Sequence, residues 1–210
     1  EKKKKTAKKI FNKSYKAIEK IKSPRAKAFT IQGLYHLNKQ YPTKKNIRII
    51  KKLADDLIEK YREESSKEWK WFEIYITYAN SKLSESLFLA YHVTKNKEYL
   101  KIAEKTLGFL TNLIFINNQL MPIGQKGWCK RNGKRALFDQ QPLEAASMVQ
   151  TYLTAYETTK KDKYYKLAIL SFNWFLGKNH LKQMVYDPVT GGCYDGLSKN
   201  SLNLNRGAES

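Results

Sequence analysis

Residues 90–109 (AYHVTKNKEYLKIAEKTLGF) and 155–174 (AYETTKKDKYYKLAILSFNW) are two copies of one pattern, set 65 positions apart. Identities fall at Ala90/Ala155, Tyr91/Tyr156, Thr94/Thr159, Lys95/Lys160, Tyr99/Tyr164, Lys101/Lys166 and Ala103/Ala168, and Phe109 is answered by Trp174. A chain that repeats itself stacks similar units, each burying its apolar face against the next. In both copies a short polar turn (Thr94-Lys-Asn-Lys97, Thr159-Lys-Lys-Asp162) separates the end of one helix from a second. The second helix has apolar residues at three- and four-residue steps: Leu100, Ala103, Leu107 and Leu110, then Tyr165, Ala168, Phe172 and Phe175. The unit is a helical hairpin. A weaker copy lies upstream, where Ile31–Tyr41 is stopped by Pro42 and Ile47–Tyr61 carries Ile50, Leu53, Ala54, Leu57 and Ile58 on one face. The expected fold is all-α, built of repeated helical hairpins in one domain over residues 1–210.

The hairpins are joined by long connections of a different character. Residues 65–78 are rich in Trp and Tyr, 117–141 in Gly and polar residues, and 177–207 contain Gly191-Gly192 and several Asn. Connections of roughly 20–30 residues are rare in compact domains and commonly functional. Because they recur at one point of the repeat, an array of hairpins gathers them on a single face.

Composition excludes more than it identifies. The chain has 40 Lys and Arg against 19 Asp and Glu, a net +21. Residues 1–70 hold 22 of the cations and 8 of the acids, and most of the excess is Lys scattered along helix faces. Lys discriminates less between partners than Arg, so a solvated basic surface is expected ahead of a site for nucleic acid or for an acidic membrane surface. No apolar run approaches the roughly 20 residues of a membrane span. Glu1–Lys5 is charged with no apolar segment behind it, so no signal peptide is read and a cytoplasmic location is expected. Cys129 and Cys193 are too few for a disulfide framework or a four-ligand metal site and are expected as free thiols. His36, His92 and His180 stand apart in sequence, and no zinc-protease, P-loop, nucleophile-elbow or dinucleotide motif occurs. Neither a metal nor a cofactor is expected.

The connections carry the chemistry. Asp139, Gln140 and Gln141 precede Pro142, which suits a first helical turn, and Glu144 follows within that turn. Glu144 and Glu209 are again 65 apart, and Asn80 lies one residue from the equivalent place in the copy before. Carboxylates and amides at helix entries, with aromatic rings nearby, suit a sugar: rings stack on pyranose faces while Asp, Glu, Asn and Gln bond hydroxyls. In a hydrolase two carboxyls would flank the glycosidic bond, as acid and as base or nucleophile. Asp139, after Ala136-Leu137-Phe138, is the expected acid, and Asp195, in a Gly-flanked loop, the expected base. Ordinary roles stay open: Glu73 as a cap or ion-pair partner, Glu144 as a dipole partner of its helix, and Asp187, before Pro188, as a turn residue.

In motif order the chain resembles the six-hairpin-glycosidase-like, or (α/α) toroid, domains of prokaryotes, found alone or fused behind glycosyltransferases. The motifs are W-x-W-F-E from Trp69, Y-A-N-x-x-L from Tyr78, P-I-G-x-x-G-W from Pro122 and F-D-Q-Q-P-x-E-A from Phe138. They continue with W-F-L-G-x-N from Trp174, D-x-x-T-G-G-C-Y-D-G-L from Asp187 and N-x-N-x-G-A-E-S from Asn203. The resemblance covers residues 69–210 and implies an (α/α) toroid, or a truncated part of one that the chain's end leaves incomplete. It also implies a glycan substrate, a glycosidase-like activity or a non-catalytic glycan-binding role, and a glycosyltransferase as a possible partner. Asp139, Asp195 and Glu144 are the expected catalytic residues. Trp71, Glu73, Asn80, Trp128, Gln140, Gln141, Asn203, Asn205 and Glu209 are the expected substrate-binding residues.

Overall fold

A computed structural model describes residues 2–206, and seven α-helices run through them. They are α1 (Lys2–Tyr15), α2 (Pro24–Gln40), α3 (Lys44–Glu64), α4 (Ser81–Thr94), α5 (Lys97–Ile114), α6 (Pro142–Thr159) and α7 (Asp162–Phe172). The pairs α2–α3, α4–α5 and α6–α7 are the three hairpins read from the sequence. Their first helices form a row, α2 against α4 against α6, and each packs on its own second helix.

Local sequence sets the ends of these helices. Ser23 Oγ accepts the Ala26 amide ahead of Pro24, and Thr43 Oγ1 accepts the Asn46 amide at 3.1 Å. Asn96 Oδ1 accepts the Glu98 amide at 2.9 Å. The repeat holds to individual atoms. Lys95 (φ 58°, ψ 18°) and Lys160 (φ 57°, ψ 21°) end α4 and α6 in the left-handed region, their amides donating to Tyr91 O and Tyr156 O. Thr94 and Thr159 hydroxyls bond Ala90 O and Ala155 O at 2.8 and 2.7 Å.

Each second helix also plugs a tyrosine into the hairpin before it. Tyr99 on α5 is fully buried and its hydroxyl donates to Asp55 on α3. Tyr164 on α7 is buried likewise and donates to Glu104 on α5 at 3.0 Å. Burial drives both phenols well above their ordinary range. At the centre of the row, α4 is enclosed all round, with every residue from Ser81 to Ala90 buried, so it shows no single apolar stripe.

The connections hold short β ladders rather than a sheet. β1 (Tyr75–Ile76) pairs with β4 (Cys129–Lys130), β2 (Phe115–Ile116) with β3 (Gln119–Leu120), and β5 (Gly196–Leu197) with β6 (Leu202–Asn203), all antiparallel. The first pair joins two connections that are far apart in sequence. No helix among the described residues is long and apolar enough to cross a membrane.

The last hairpin is covered on one side. Leu153 and Phe172 are exposed, while Phe88 and Leu107, their counterparts 65 residues earlier, are fully buried beneath α6–α7 and its neighbours. Leu107→Ala is expected to cost about 2–5 kcal/mol by opening a cavity. Phe172→Ala, at the uncovered position, should cost under about 1 kcal/mol. Urea denaturation of both variants measures the contrast, and equal losses would contradict the stacked row.

Candidate functional site

Three connections interlock at the end of the row where α4 and α6 begin. In the first, Trp69 and Trp71 turn inward: Trp69 Nε1 donates to Glu73 O at 2.7 Å, and Trp71 packs edge-on against Phe72. The segment then surfaces at Tyr78, whose side chain is half exposed.

The second connection folds over itself. The amides of Gln125 and Lys126 donate to Asp139 O and Phe138 O at 3.0 and 3.1 Å, and the Ala136 amide to Trp128 O at 2.7 Å. Gly124 permits this closeness, since a Cβ there would fall 2.1 Å from Phe138 O. The third connection is clamped on by a reciprocal backbone pair, Gln140 N to Leu197 O (2.8 Å) and Leu197 N to Gln140 O (2.9 Å). Gly196 (φ +148°) approaches so near that a Cβ would lie 2.2 Å from Gln140 O. The Gln140 side chain, fully buried, accepts from Trp174 Nε1 at 3.0 Å and donates to Leu137 O at 3.1 Å, holding the junction from below.

A cleft of about 870 Å³ opens over this junction. Its walls include Tyr78, Trp128, Asp139, Gln141, Asp195 and Asn203, with Pro142, Leu143 and Leu197 among its apolar lining. The Tyr78 and Trp128 rings stand 6.5 Å apart, inclined at 49°, and the Arg25 guanidinium lies 5.2 Å from the Tyr78 ring centre. Lys126 Nζ sits 3.0 Å from Asp139 Oδ2. Five residues singled out in the sequence therefore share one cleft: Trp128, Asp139, Gln141, Asp195 and Asn203.

The others are placed elsewhere. Trp71, expected on the sugar-binding face, is sealed in the core because the first connection packs its indoles inward. Gln140 lies beneath the cleft rather than in it. Asn205 shapes its rim, its carbonyl accepting the Asp195 amide at 2.9 Å and its own amide donating to Asn203 Oδ1 at 3.1 Å. Glu209 falls outside the described residues. Asp187, held below the usual carboxylate range by the Thr190 hydroxyl and its turn amides, is a turn residue paired with Arg206 at 2.7 Å. The apolar run before Asp139 does not bury it: Leu137 is exposed, Phe138 packs on His180, and Asp139 faces Lys126. Tyr78 was not among the expected residues; its signal was an aromatic just ahead of a helix entry, beside Asn80.

Glu73, Asn80 and Glu144 form a network with Arg25 on α2, buried at all but Glu73. Arg25 donates to Glu73 Oε2 at 2.5 Å, Asn80 Oδ1 at 3.1 Å and Tyr78 O at 2.7 Å. Glu144, expected to be catalytic, instead accepts from the Ala79 amide and from Asn80 Nδ2 (3.1 Å), so its carboxyl is spent on joining the start of α6 to the start of α4. Burial pushes it up to about 7, against the hydrogen bonds and the Arg25 charge that favour the ionised form.

No protein-family model matches this sequence, and no curated protein matches it. Among solved structures, an α-mannanase of glycoside hydrolase family 76 from Bacteroides thetaiotaomicron matches with a TM-score of 0.62 at 13% identity, over 82% of this chain and 47% of that one. A sugar epimerase from a ruminal bacterium matches with a TM-score of 0.64 at 12% identity, over 88% of this chain and 48% of the other. The chain thus spans about half the length of each. Likeness at these identities shows the fold, and it is the (α/α) hairpin fold expected from the sequence.

Glu144 gives this end of the row a pH dependence. Its carboxyl lies near 7 folded against an ordinary value of 4.5, so the folded state holds the extra proton between those limits. Stability is then expected to fall by about 3 kcal/mol as pH rises from about 4.5 to 7 and to level off above. Glu144→Gln should flatten that slope in urea titrations across the range; an unchanged slope would refute the assignment. Gly196→Ala should separate the Gln140–Leu197 pair at a cost of about 2 kcal/mol or more. Exchange of the Leu197 amide reports it, and undiminished protection would count against the clamp.

Proposed function

We propose that the cleft binds a glycan and cleaves it as a glycoside hydrolase does. One observation carries this reading: Asp139 and Asp195, on different connections and more than fifty residues apart in sequence, line one cleft together with the rings of Tyr78 and Trp128. Inclined aromatic rings suit the apolar faces of sugars, and Gln141 and Asn203 offer amides to hydroxyls. Two of the solved structures that share the fold are named as a mannanase and a sugar epimerase, both sugar-directed enzymes, which supports a carbohydrate ligand.

In this reading Asp139 gives its proton to the glycosidic oxygen as the bond to the anomeric carbon breaks. Asp195 either takes a proton from the attacking water or attacks the anomeric carbon itself. A separation of about 5–5.5 Å between the carboxyls of a glycan complex would indicate retention, and about 6.5–9.5 Å inversion. Lys126, whose Nζ lies 3.0 Å from Asp139 Oδ2, has a side chain that is 73% exposed, so an entering glycan can displace it.

The Lys126–Asp139 pair also favours a second reading, a non-catalytic glycan-binding module of the kind associated with glycosyltransferases, in which the pair is permanent. A panel of oligosaccharides, assayed for binding by calorimetry and for cleavage by product analysis, separates the two. With a cleaved glycan in hand, Asp139→Asn is expected to lower turnover by about 100-fold or more while affinity changes little. Trp128→Ala should weaken affinity by about 10-fold. Parent-rate turnover by Asp139→Asn would remove Asp139 as the donor, and binding without cleavage across the panel would leave the module reading.

A further inference from the structure

The most one-sided charge on the molecule lies far from the cleft in sequence. Helix α1 has seven lysines and no acidic residue, and the first half of α3, Lys44–Lys52, adds four lysines and Arg48, again without an acid. The two segments are joined: Tyr15 OH donates to Asn46 Oδ1 at 2.8 Å, and Lys45 Nζ sits 4.5 Å above the Tyr15 ring. Lys9 and Lys13 on α1 and Lys16 just beyond its end follow one another at four- and three-residue steps and line one shallow surface. Like charges in such a row oppose the helix that carries them, so the row gains most from a matching anionic surface.

Apolar groups sit among these cations. Ile10, between Lys9 and Lys13, is 61% exposed. Where the chain turns from α1 toward α2, a groove of about 560 Å³ has Ile18, Ile49 and Leu53 in its lining and Lys16, Lys45, Arg48 and Lys52 around them. Two acids also border it, Glu19 and Asp56, the latter ion-paired with Lys27 at 2.6 Å. Nucleic-acid sites favour Arg forks and stacked aromatics, whereas here lysines outnumber arginine eleven to one, the Tyr15 ring is taken up by Lys45, and the exposed apolar side chain among them, Ile10, is aliphatic. Lysine clusters with exposed aliphatic side chains match anionic lipid headgroups, with the apolar groups entering the boundary beneath them.

We propose that α1 and the first half of α3 dock the protein on an anionic phospholipid surface, independently of what the cleft binds. The test is flotation of the full chain with vesicles of phosphatidylcholine alone and of phosphatidylcholine with about 30% phosphatidylglycerol, in about 0.1 M salt. The expected result is binding to the anionic vesicles only, and release when salt is raised to about 0.5 M. Exchanging Lys9, Lys13 and Lys16 together for Gln should weaken that binding by about 100-fold. Ile10→Ser should weaken it several-fold while leaving any binding to duplex DNA unaltered; circular dichroism confirms that both variants remain folded. Absence of binding to anionic vesicles, equal binding to neutral ones, or tighter binding to DNA with no effect of Ile10→Ser would each overturn the proposal.

Discussion

The arrangement hangs on a buried run of polar contacts that crosses the row of first helices from Arg25 through Asn80 to Glu144. Each member sits at the entry of a different helix or just before it, so the run fixes three helix starts relative to one another. Backbone amides at such entries need acceptors, and here a side chain of the following hairpin supplies one: Glu144 takes the Ala79 amide. Apolar packing alone would let neighbouring helices slide along their axes. A carboxyl oxygen bonded to a particular amide does not. On the other side of the hairpins the Tyr99–Asp55 and Tyr164–Glu104 contacts do the same for the second helices. With both layers in register, the connections leave the row at one end, and a shared cleft becomes possible.

The sequence disclosed the parts of this that repeat. Thr94, Lys95, Tyr99 and their counterparts at Thr159, Lys160 and Tyr164 are visible as identities because each meets the same local demand twice: a helix stop, a turn and a plug. The cleft residues Asp139 and Asp195 were legible for another reason, since polar and glycine-rich segments of that length have no use in a bare hairpin. What stayed hidden was direction. Trp71 and Trp128 look alike in sequence, but packing against Phe72 and Phe109 makes the first interior. Glu144 was recognised by its spacing but its partners were not, because a carboxyl at a helix entry reads the same whether it faces a ligand or a neighbouring helix. Helix α4 lacks an amphipathic stripe, so periodicity could locate it only through its partner α5.

Charge is divided by region. Among the described residues the cleft lining includes two carboxylates, Asp139 and Asp195, and no Lys or Arg, although the chain as a whole carries +21. The lysine-rich surface belongs to α1 and α3, and one lysine, Lys126, reaches Asp139 from outside the lining. A neutral ligand entering the cleft would meet neither strong attraction nor repulsion from the remote lysines, which salt screens over about 10 Å.

The clamp between Gln140 and Leu197 has a consequence for the order in which the molecule forms and opens. Each hairpin closes over a turn of a few residues, so its contacts are local in sequence and arise early. The cleft needs Tyr78, Trp128, Asp139 and Asp195, drawn from positions spread over more than a hundred residues, and loses most by loop entropy when it assembles. It is therefore expected to be the last part to form and the first to come apart. A transient state with its helices intact and the 173–206 connection lifted away would give a nearly native far-ultraviolet spectrum, yet offer proteases a long exposed segment and ligands no site at all.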